Sequence, residues 1–326
     1  MDRLPYLVCP PLESGYRDWF TDPTVWAPYV AEVARRHGLP APRSLSARMP
    51  GSHPVLVAES GYVVKFYAPH WPDDALCERQ AYVLLRSVSK TAIPRPSLSA
   101  AGCLFPGHRA WEWPYSVMEI AEGQPTVMAA DALGSDEWMD LAGELGRIVR
   151  TLHGVSLTHA GEMRAQSERA LAHLVRTAPD RRRAEPAWRR LDFRSWDAYW
   201  AAAHSCSAPP VMVHGDLTAD HVYVRIAPGH VRVTSLIDWA DAMIGDAAYE
   251  LVPLYLDLFQ GRPERLRAFR TAYGDGPMFG PGWEKRATAY LAAFRFDLGA
   301  MLTRLIPRFS GLIRLEEVEG RLWGDV

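Results

Sequence analysis

The sequence lacks the features that mark several common classes of protein. Its only cysteines are Cys9, Cys77, Cys103 and Cys206, and their spacing fits neither a CxxC pair nor a zinc site. Scattered cysteines of this kind indicate reduced thiols rather than a disulfide framework. No apolar run approaches the length of a membrane span, and no basic-then-apolar signal pattern opens the chain. We therefore expect a cytoplasmic protein with no membrane partner.

Excess charge of either sign is also absent, since 36 Lys and Arg residues stand against 38 Asp and Glu residues. A nucleic-acid-binding domain normally carries a basic excess, so this balance predicts no nucleic-acid partner. Lysine is scarce, with only Lys65, Lys90 and Lys285 among the basic residues. The hydrophobic content of 48% and the length of 326 residues suit one large globular domain or two lobes.

The stretch 211–251 carries the clearest chemical pattern in the chain. A short apolar run enters HGDLTADH, and two β-branched runs, 222–226 and 231–237, follow with the turn APGH between them, which predicts a hairpin. Asp216 precedes this hairpin and Asp238 follows it, so we expect both carboxylates at the same end of a short sheet. Phosphoryl transfer needs such a pair, because one carboxylate accepts the proton of the attacking hydroxyl and another holds magnesium.

A second candidate region is MPGSHPVLVAESGYVVKFY, at 49–67. It predicts a loop and then two strands, 55–58 and 62–67, joined by a glycine-containing turn. Glycine-containing turns beside strands can present backbone N–H groups to a phosphate. Ser52 and His53 lie in the loop that precedes the first strand and are further candidate nucleotide-binding residues.

Lys65 lies within the apolar second strand of that region. Strand alternation allows its side chain to face solvent; otherwise it needs a partner, because an unpaired buried charge is costly. Glu78 is the available partner, on the first turns of a helix that we predict to begin at Asp73. A Lys–Glu pair that positions nucleotide phosphates is a recurring part of kinase sites.

The best lobe boundary follows the strand WPYSVMEI, at 113–120. We predict a strand-rich lobe at 1–121, with a helical extension at its start, and a mainly helical lobe at 122–326. The predicted helices of the second lobe fall at 141–152, 251–259 and 287–305, with a helical region at 160–205 that breaks near Pro186.

Six segments of the chain, taken in order, resemble the aminoglycoside phosphotransferase family. They are GSHPVLV, VVKFY, WPYSVM, LGRIVRTLH, HGDLTADH and LIDWADAMIGDAAYEL. The resemblance covers roughly residues 45–260, and hygromycin B 7''-O-phosphotransferases are the most similar members. It implies an α+β fold of the protein-kinase-like type, with a small antiparallel sheet in the first lobe and a mainly helical second lobe. It also implies ATP or GTP and Mg²⁺ as cofactors.

The same resemblance implies a role for each matching residue. Asp216 would be the catalytic base and Asp238 a magnesium ligand, while His214 and Asp246 would support the catalytic loop. The nucleotide would be bound by Lys65, Glu78, Ser52, His53, Met118 and the backbone of Glu119 and Ile120.

One position departs from the family pattern. His221 stands where the family has a metal-binding Asn, and magnesium prefers oxygen ligands. Three readings stay open: His221 ligates the metal through nitrogen, it hydrogen-bonds phosphate or Asp216, or the second metal position is weakened or lost. We favour a functional His221, because both flanking motifs are intact.

The resemblance favours an enzyme that phosphorylates a hydroxyl of a small polar antibiotic, such as hygromycin B, and so confers resistance. Candidate substrate residues are Asp241, Glu250 and Asp257, because cationic aminoglycosides need acidic sites. The alternatives are a nucleoside antibiotic of the capuramycin type as substrate, a metabolic kinase resembling choline or homoserine kinases, and a nucleotide-binding pseudokinase. We expect a monomer or a weak dimer.

Overall fold

The computed structural model describes residues 4–13, 15–47, 51–205 and 208–324, so Met49, Pro50 and Cys206 lie outside the described residues. The chain divides into two compact units. The first contains the chain up to Arg79 and Pro96–Ala121, and the second contains Gln80–Arg95 and the chain from Glu122 onward. The predicted boundary at 121 had left residues 80–95 in the first lobe, whereas the structure groups them with the second unit.

An antiparallel sheet forms the centre of the first unit, with the strand order β1-β2-β3-β5-β4. Within the described part of this unit, the strands are β1 (Leu45–Ala47), β2 (Val55–Ala58), β3 (Tyr62–Phe66), β4 (Leu98–Cys103) and β5 (Pro114–Met118). The helices are α1 (Tyr16–Thr21), α2 (Pro23–His37) and α3 (Asp74–Leu85), and α3 continues into the second unit. The predicted strands 55–58 and 62–67 are confirmed, while β1 and β4 were missed.

Helix α2 packs on this sheet because its apolar residues recur at helical spacing. Asp22 caps its N-terminus by accepting a hydrogen bond from the backbone N–H of Thr24 at 2.9 Å. Gly38 ends it in the left-handed conformation, with φ of 63°. Trp26 and Val33 are fully buried in one cluster with residues of β2, β3 and β5, so the helical extension predicted at the start of this lobe is present and packs on the sheet.

The second unit is mainly helical. Its described helices are α4 (Thr126–Ala129), α5 (Ser135–His153), α6 (Gly161–Ala184), α7 (Trp196–Ala203), α8 (Leu251–Pro253), α9 (Pro263–Tyr273), α10 (Trp283–Ala293), α11 (Gly299–Leu305) and α12 (Leu315–Trp323), with a π-helical turn at Leu254–Leu258. Its strands are β6 (Gln124–Pro125), β7 (Val211–Val213), β8 (Val222–Ala227), β9 (His230–Leu236) and β10 (Met243–Gly245). Strands β6, β8 and β9 form one antiparallel sheet, and β7 pairs with β10 in another.

The predicted helix 287–305 is wrong, because the chain forms α10 and α11 with a break after Ala293. Two arginines of α6 bind carbonyls at the end of α10. Arg182 Nε donates to the carbonyl of Ala292 at 2.9 Å, and Arg181 Nη1 donates to that of Phe294 at 2.8 Å. These cations satisfy carbonyls that have no partner within the helix.

Helix α6 continues through Pro179. Proline has no backbone N–H, so it cannot donate the usual helical hydrogen bond to the carbonyl four residues earlier. That carbonyl belongs to Val175, and it accepts a hydrogen bond from Trp196 Nε1 at 2.9 Å instead. The break that we predicted near Pro186 is confirmed, since α6 ends at Ala184. No helix within the described ranges is both long and apolar enough to cross a membrane.

Candidate active site

The loop that follows β7 is held by a buried carboxylate. Glu250 Oε2 accepts the backbone N–H of His214 at 2.7 Å, and Oε1 accepts that of Gly215 at 3.1 Å. Gly215 has φ of +83°, and a Cβ at this position would collide with the backbone carbonyl of Asp241. Glycine is therefore required between His214 and Asp216, and the loop presents Asp216 from a fixed backbone.

Glu250 is fully buried, and burial raises the pKa of its carboxyl group to about 7, although the hydrogen bonds from His214 and Gly215 oppose the shift. His153 lies on its other side, with Nε2 4.0 Å from Glu250 Oε2 and Nδ1 2.8 Å from the hydroxyl of Tyr273. Burial lowers the pKa of His153 to about 3, so this histidine is neutral. His153 is a packing residue.

His214 joins the two acidic motifs. Its Nδ1 accepts the backbone N–H of Asp216 at 3.3 Å, and its Nε2 donates to the carbonyl of Ile237 at 3.0 Å. Burial, together with the charge of His221, lowers the pKa of His214 to about 4, so the ring is neutral. These two hydrogen bonds require the ring proton on Nε2. Ile237 immediately precedes Asp238, and its N–H donates to the carbonyl of His221 at 3.0 Å. The positions of Asp216 and Asp238 are thereby fixed relative to each other, which confirms that the two carboxylates lie at one end of the hairpin.

Asp238 has a left-handed backbone, with φ of 61°. A non-glycine residue in this region is strained, and such residues cluster at functional sites. Its side chain is about one-third exposed and accepts a hydrogen bond from the backbone N–H of Ala240 at 3.4 Å. The conformation places the carboxylate beyond the end of β9, on the side where His221 lies.

His221 lies between the two carboxylates. Its Nδ1 is 2.8 Å from the carbonyl oxygen and 3.3 Å from Oδ2 of Asp216, and 3.1 Å from the hydroxyl of Thr218. Its Nε2 is 3.8 Å from Oδ2 of Asp238. Burial lowers the pKa of this imidazole, but the hydrogen bond and charge of Asp216 and the charge of Asp238 outweigh it and raise the pKa to about 10.

The donor set fits a divalent cation that shares its coordination with phosphate. The described residues contain no group of three or more His, Cys, Asp or Glu side chains arranged to hold a metal. Magnesium in phosphoryl-transfer sites is commonly held by one or two carboxylates, with phosphate oxygens and water completing the shell. The carboxylate of Asp238 meets that need, with His221 beside it.

In the first unit, Lys65 and Glu78 form the predicted ion pair. Both side chains are buried, and Lys65 Nζ lies 2.9 Å from Glu78 Oε2. The hydroxyl of Tyr67 also donates to Glu78 and lies 2.9 Å from the hydroxyl of Ser116. Lys65 therefore does not face solvent, and its ammonium group is held by a carboxylate that is itself positioned by Tyr67.

The predicted phosphate-binding loop is held mainly by its own side chains. His53 is buried, with Nε2 2.9 Å from Asp74 Oδ2 and with Nδ1 accepting the N–H of Ala68 at 3.2 Å. The carbonyl of Ser52 accepts the hydroxyl of Tyr16 at 2.7 Å. The imidazole of His53 is therefore structural, and a phosphate contact by this loop would come from its backbone.

The segment proposed to bind the purine follows β5. Met118 is the last residue of β5, and Ile120 is exposed. The N–H of Glu119 donates to the carbonyl of Ser97 at 3.0 Å, and its Oε2 accepts the N–H of Ser97 at 2.8 Å. The N–H of Glu119 is thus used within the first unit, so a purine contact by Glu119 would involve its carbonyl.

All three acidic residues expected to bind substrate have other contacts. Glu250 holds the loop that carries Asp216, and Asp257 Oδ1 accepts the N–H of Ala219, in the same loop, at 2.7 Å. Asp241 forms an ion pair with Arg295. They were predicted to bind substrate because of their charge alone. In the structure, each of them binds a backbone amide or an arginine of the second unit.

The residues that hold the loop of Asp216 also differ from those predicted. Asp246 Oδ1 caps the following turn by accepting the N–H of Ala248 at 2.9 Å, and Oδ2 lies 3.1 Å from Nε of the buried Arg286. The bracing role expected of Asp246 belongs to Glu250 and Asp257. Sequence reasoning missed Arg286 and Arg295, which lie outside every motif; Arg286 follows Glu284 and Lys285 in a charged run, and no signal in the sequence marked either arginine.

The profile of the phosphotransferase enzyme family APH matches residues 51–288. Among solved structures, the GDP and kanamycin complex of APH(2")-IIIa has a TM-score of 0.61 at 18% identity, covering 81% of this chain and 87% of that chain. The streptomycin–ATP complex of APH(2")-IIa has a TM-score of 0.59 at 14% identity, covering 88% and 98%. These similarities confirm the predicted α+β, protein-kinase-like fold class.

A complex of a thermostable mutant of APH(4)-Ia with ADP and hygromycin B has a TM-score of 0.51 at 14% identity, covering 89% of this chain and 95% of that chain. This score is lower than those of the two APH(2") enzymes. The comparison therefore does not single out the hygromycin B subtype that the sequence resembles.

Proposed function

Because the chain belongs to the APH phosphotransferase enzyme family, we propose that it transfers the γ-phosphoryl group of ATP or GTP to a hydroxyl of a small polar antibiotic. The hydroxyl oxygen forms a bond to phosphorus, the bond between the γ-phosphorus and the bridging oxygen breaks, and the nucleoside diphosphate leaves. The proton of the hydroxyl passes to Asp216. The phosphate adds negative charge and bulk to the drug, which weakens target binding and confers resistance.

The observation that carries this proposal is the connection of Asp216 to Asp238 through His214. Catalysis of phosphoryl transfer depends mainly on positioning and electrostatics, so a rigid relationship between base and cation ligand matters more than any covalent step. Asp238 would hold Mg²⁺, which neutralises phosphate charge when bound, and His221 lies beside it. Lys65, fixed by Glu78, would bind the α- and β-phosphates.

The similar structures support the choice of phosphate donor and acceptor class, because they contain GDP, ATP or ADP and, in several cases, kanamycin, streptomycin or hygromycin B. An aminoglycoside is therefore the first acceptor to test. We also place the reaction in the cytoplasm, where the nucleotide is found, and expect a monomer or a weak dimer.

One observation favours an uncharged acceptor instead, such as a nucleoside antibiotic of the capuramycin type. A polycationic drug needs carboxylates that face it, but Glu250, Asp257 and Asp241 are bound to the loop or to Arg295. An open groove of about 840 Å³ along α6 and α7 is lined by aromatic side chains such as Trp196 and Trp200 and by charged side chains of both signs, among them Arg176, Glu168 and Asp197, so it does not by itself distinguish the two classes of acceptor.

Expression of the chain in a sensitive bacterial host tests the resistance function. We expect growth at raised concentrations of at least one antibiotic from a panel of aminoglycoside, nucleoside and peptide drugs. The Asp216→Asn variant should confer none. If the host gains no tolerance to any drug although the protein is made, the antibiotic function is wrong, and a metabolic kinase or a pseudokinase takes its place.

A further inference from the structure

The segment that follows α10 holds an exposed aromatic ring on an anchored backbone. Phe296 is 40% exposed, whereas Phe294 is buried. The carbonyl of Phe296 accepts a hydrogen bond from Arg182 Nη1 at 3.0 Å, and that of Phe294 accepts one from Arg181 Nη1 at 2.8 Å. Because Arg182 is fully buried, these bonds fix the backbone of Phe296 to the interior of the second unit. A ring on such a backbone loses little conformational entropy when a ligand covers it.

Arg295 lies over this ring. Its guanidinium carbon is 4.5 Å from the ring centroid of Phe296, a distance typical of a cation–π contact. The same guanidinium forms an ion pair with Asp241, and the side chain of Arg295 remains 27% exposed. A guanidinium group and a phenyl ring therefore lie together at the surface, and we call this pair the Arg295–Phe296 platform.

The platform lies beside the loop that carries Asp216. Asp241 belongs to the turn that follows β9, and its carbonyl oxygen is so close to Gly215 that a Cβ there would collide with it. The buried hydroxyl of Tyr249 lies near both parts of this region. Burial and the charge of Asp241 raise the pKa of this hydroxyl, the charge of Arg295 lowers it, and the charge of Asp216 raises it. Arg295 and the expected catalytic base thus act on one hydroxyl group, which places the platform close to the acceptor side of the site.

We propose that the Arg295–Phe296 platform binds the acceptor and selects one that carries a planar group with carbonyl oxygens, such as a nucleobase or a carboxamide, over a polycation. This inference rests on the proposed function, since the acceptor is the molecule whose hydroxyl Asp216 deprotonates. It assigns the choice between the two acceptor classes to two named residues.

The chemistry of the platform sets this preference. An aromatic ring stacks on planar groups, and a guanidinium group donates hydrogen bonds to carbonyl or carboxylate oxygens. The same guanidinium repels the ammonium groups of a polycation, while its ion pair with Asp241 neutralises a carboxylate that would attract them. Only an acceptor that is both planar and rich in oxygen acceptors gains both contacts.

Isothermal titration calorimetry tests the stacking contact without any need for turnover. The purified full chain, with ADP and Mg²⁺, is titrated with a capuramycin-type nucleoside, which carries a nucleobase, and with kanamycin, which carries amino groups. We expect the wild type to bind the nucleoside more tightly than kanamycin. Phe296→Leu should weaken nucleoside binding about tenfold, because leucine keeps the apolar bulk but cannot stack. Ile313→Ala, at another exposed apolar position of the second unit, is the matched control and should bind like the wild type.

Arg295→Lys tests the planar cation. Lysine keeps a positive charge for Asp241 but lacks the planar fork of donors, so nucleoside binding should weaken about tenfold while ATP binding stays unchanged. In steady-state assays with the nucleoside, the loss should appear in KM and not in kcat, because the contact is made equally in the ground state and the transition state. Arg304→Lys, exposed on α11, is the matched control. A merely structural role for Arg295 would change kcat and ATP binding as well.

Three results would overturn the inference: no binding of the nucleoside, tighter binding of kanamycin by the wild type, or nucleoside binding that is the same in Phe296→Leu as in the wild type. If one of these is found and kanamycin is phosphorylated, the proposed function stands and only the platform assignment fails. If nucleoside binding depends on Phe296 and Arg295 but no acceptor is phosphorylated, the platform assignment stands and the proposed function fails.

Discussion

Glu250 Oε2 lies 2.7 Å from the backbone nitrogen of His214, and through this bond a buried carboxylate holds the loop that carries Asp216. The same carboxylate accepts the N–H of Gly215, so two consecutive amides point at one side chain. A charge-assisted bond of this type is stronger than a bond between neutral groups. The shape of the loop that carries Asp216 therefore depends on a buried side chain from another part of the chain.

The first prediction concerns the pH dependence that Glu250 creates. Burial raises the pKa of its carboxyl group to about 7, whereas the unfolded carboxyl keeps an ordinary value near 4.5. Between these values the folded chain binds more protons than the unfolded chain, so stability falls as pH rises from about 5 to 7. The ionised form accepts both amides, so kcat should rise over the same range.

Urea unfolding and initial rates measured from pH 5 to 8 check this prediction. In Glu250→Gln, the fall in stability between pH 5 and 7 should disappear and kcat should be low at every pH, because the Gln amide places an NH₂ against a backbone N–H. Glu316→Gln, at an exposed position, is the control. An unchanged pH profile in Glu250→Gln would show that another group controls both properties.

The second prediction concerns the buried pair of the first unit. Lys65→Met leaves the Glu78 carboxylate buried without its cation, so the free energy of unfolding should fall by about 3–5 kcal/mol. The double variant Lys65→Met with Glu78→Gln should recover most of that loss but not nucleotide affinity. Chemical denaturation and titration with ATP separate the two effects, and Lys90→Met, at an exposed site, is the control. Full nucleotide affinity in the double variant would rule out a phosphate contact by Lys65.

The third prediction separates strain from cation binding at Asp238. Asn tolerates the left-handed backbone, whereas Ala does so at a cost of about 1–2 kcal/mol. Asp238→Asn should therefore keep wild-type stability and Asp238→Ala should lose about that amount, while both lose kcat by on the order of a hundredfold or more. Urea unfolding and steady-state rates give both quantities. Equal stabilities for the two variants would contradict the role of strain.

The fourth prediction tests the contact that allows α6 to pass Pro179. Trp196→Phe removes the donor to the Val175 carbonyl, so stability should fall by about 1–3 kcal/mol. Pro179→Ala supplies the N–H that the helix lacks at this carbonyl. Unfolding of the double variant should show recovery of part of the loss. A double variant that is no more stable than Trp196→Phe would assign the loss to packing alone.

Much of the local structure could be predicted from the sequence, because it depends on nearby residues. The hairpin of β8 and β9, the helix α2 and the strand that carries Lys65 follow from periodicity and turn residues, and all three are confirmed. The pairing of Lys65 with Glu78 was also predictable, since an apolar strand leaves a lysine few alternatives.

The roles of the acidic residues could not be predicted in the same way. Glu250, Asp257 and Asp241 have the same charge, and only the tertiary structure shows that two of them bind loop amides and the third binds Arg295. Burial decides the difference: a carboxylate without solvent needs donors, and the nearest donors here are backbone N–H groups. The position of β7 also depends on the tertiary structure. This strand precedes the hairpin in the sequence, but it pairs with β10 in a separate sheet.

The most direct test of the account is to look for a phosphate ester on the antibiotic itself. The purified chain is incubated with Mg²⁺, ATP or GTP, and kanamycin, hygromycin B or a capuramycin-type nucleoside, and the products are analysed by mass spectrometry and ³¹P NMR. We predict a phosphorylated drug with the wild type and with Asp220→Asn, an exposed change in the same loop, and none with Asp216→Asn. Phosphorylation by Asp216→Asn at the wild-type rate would contradict the assignment of the catalytic base, and no phosphorylated drug from any protein would contradict the proposed function.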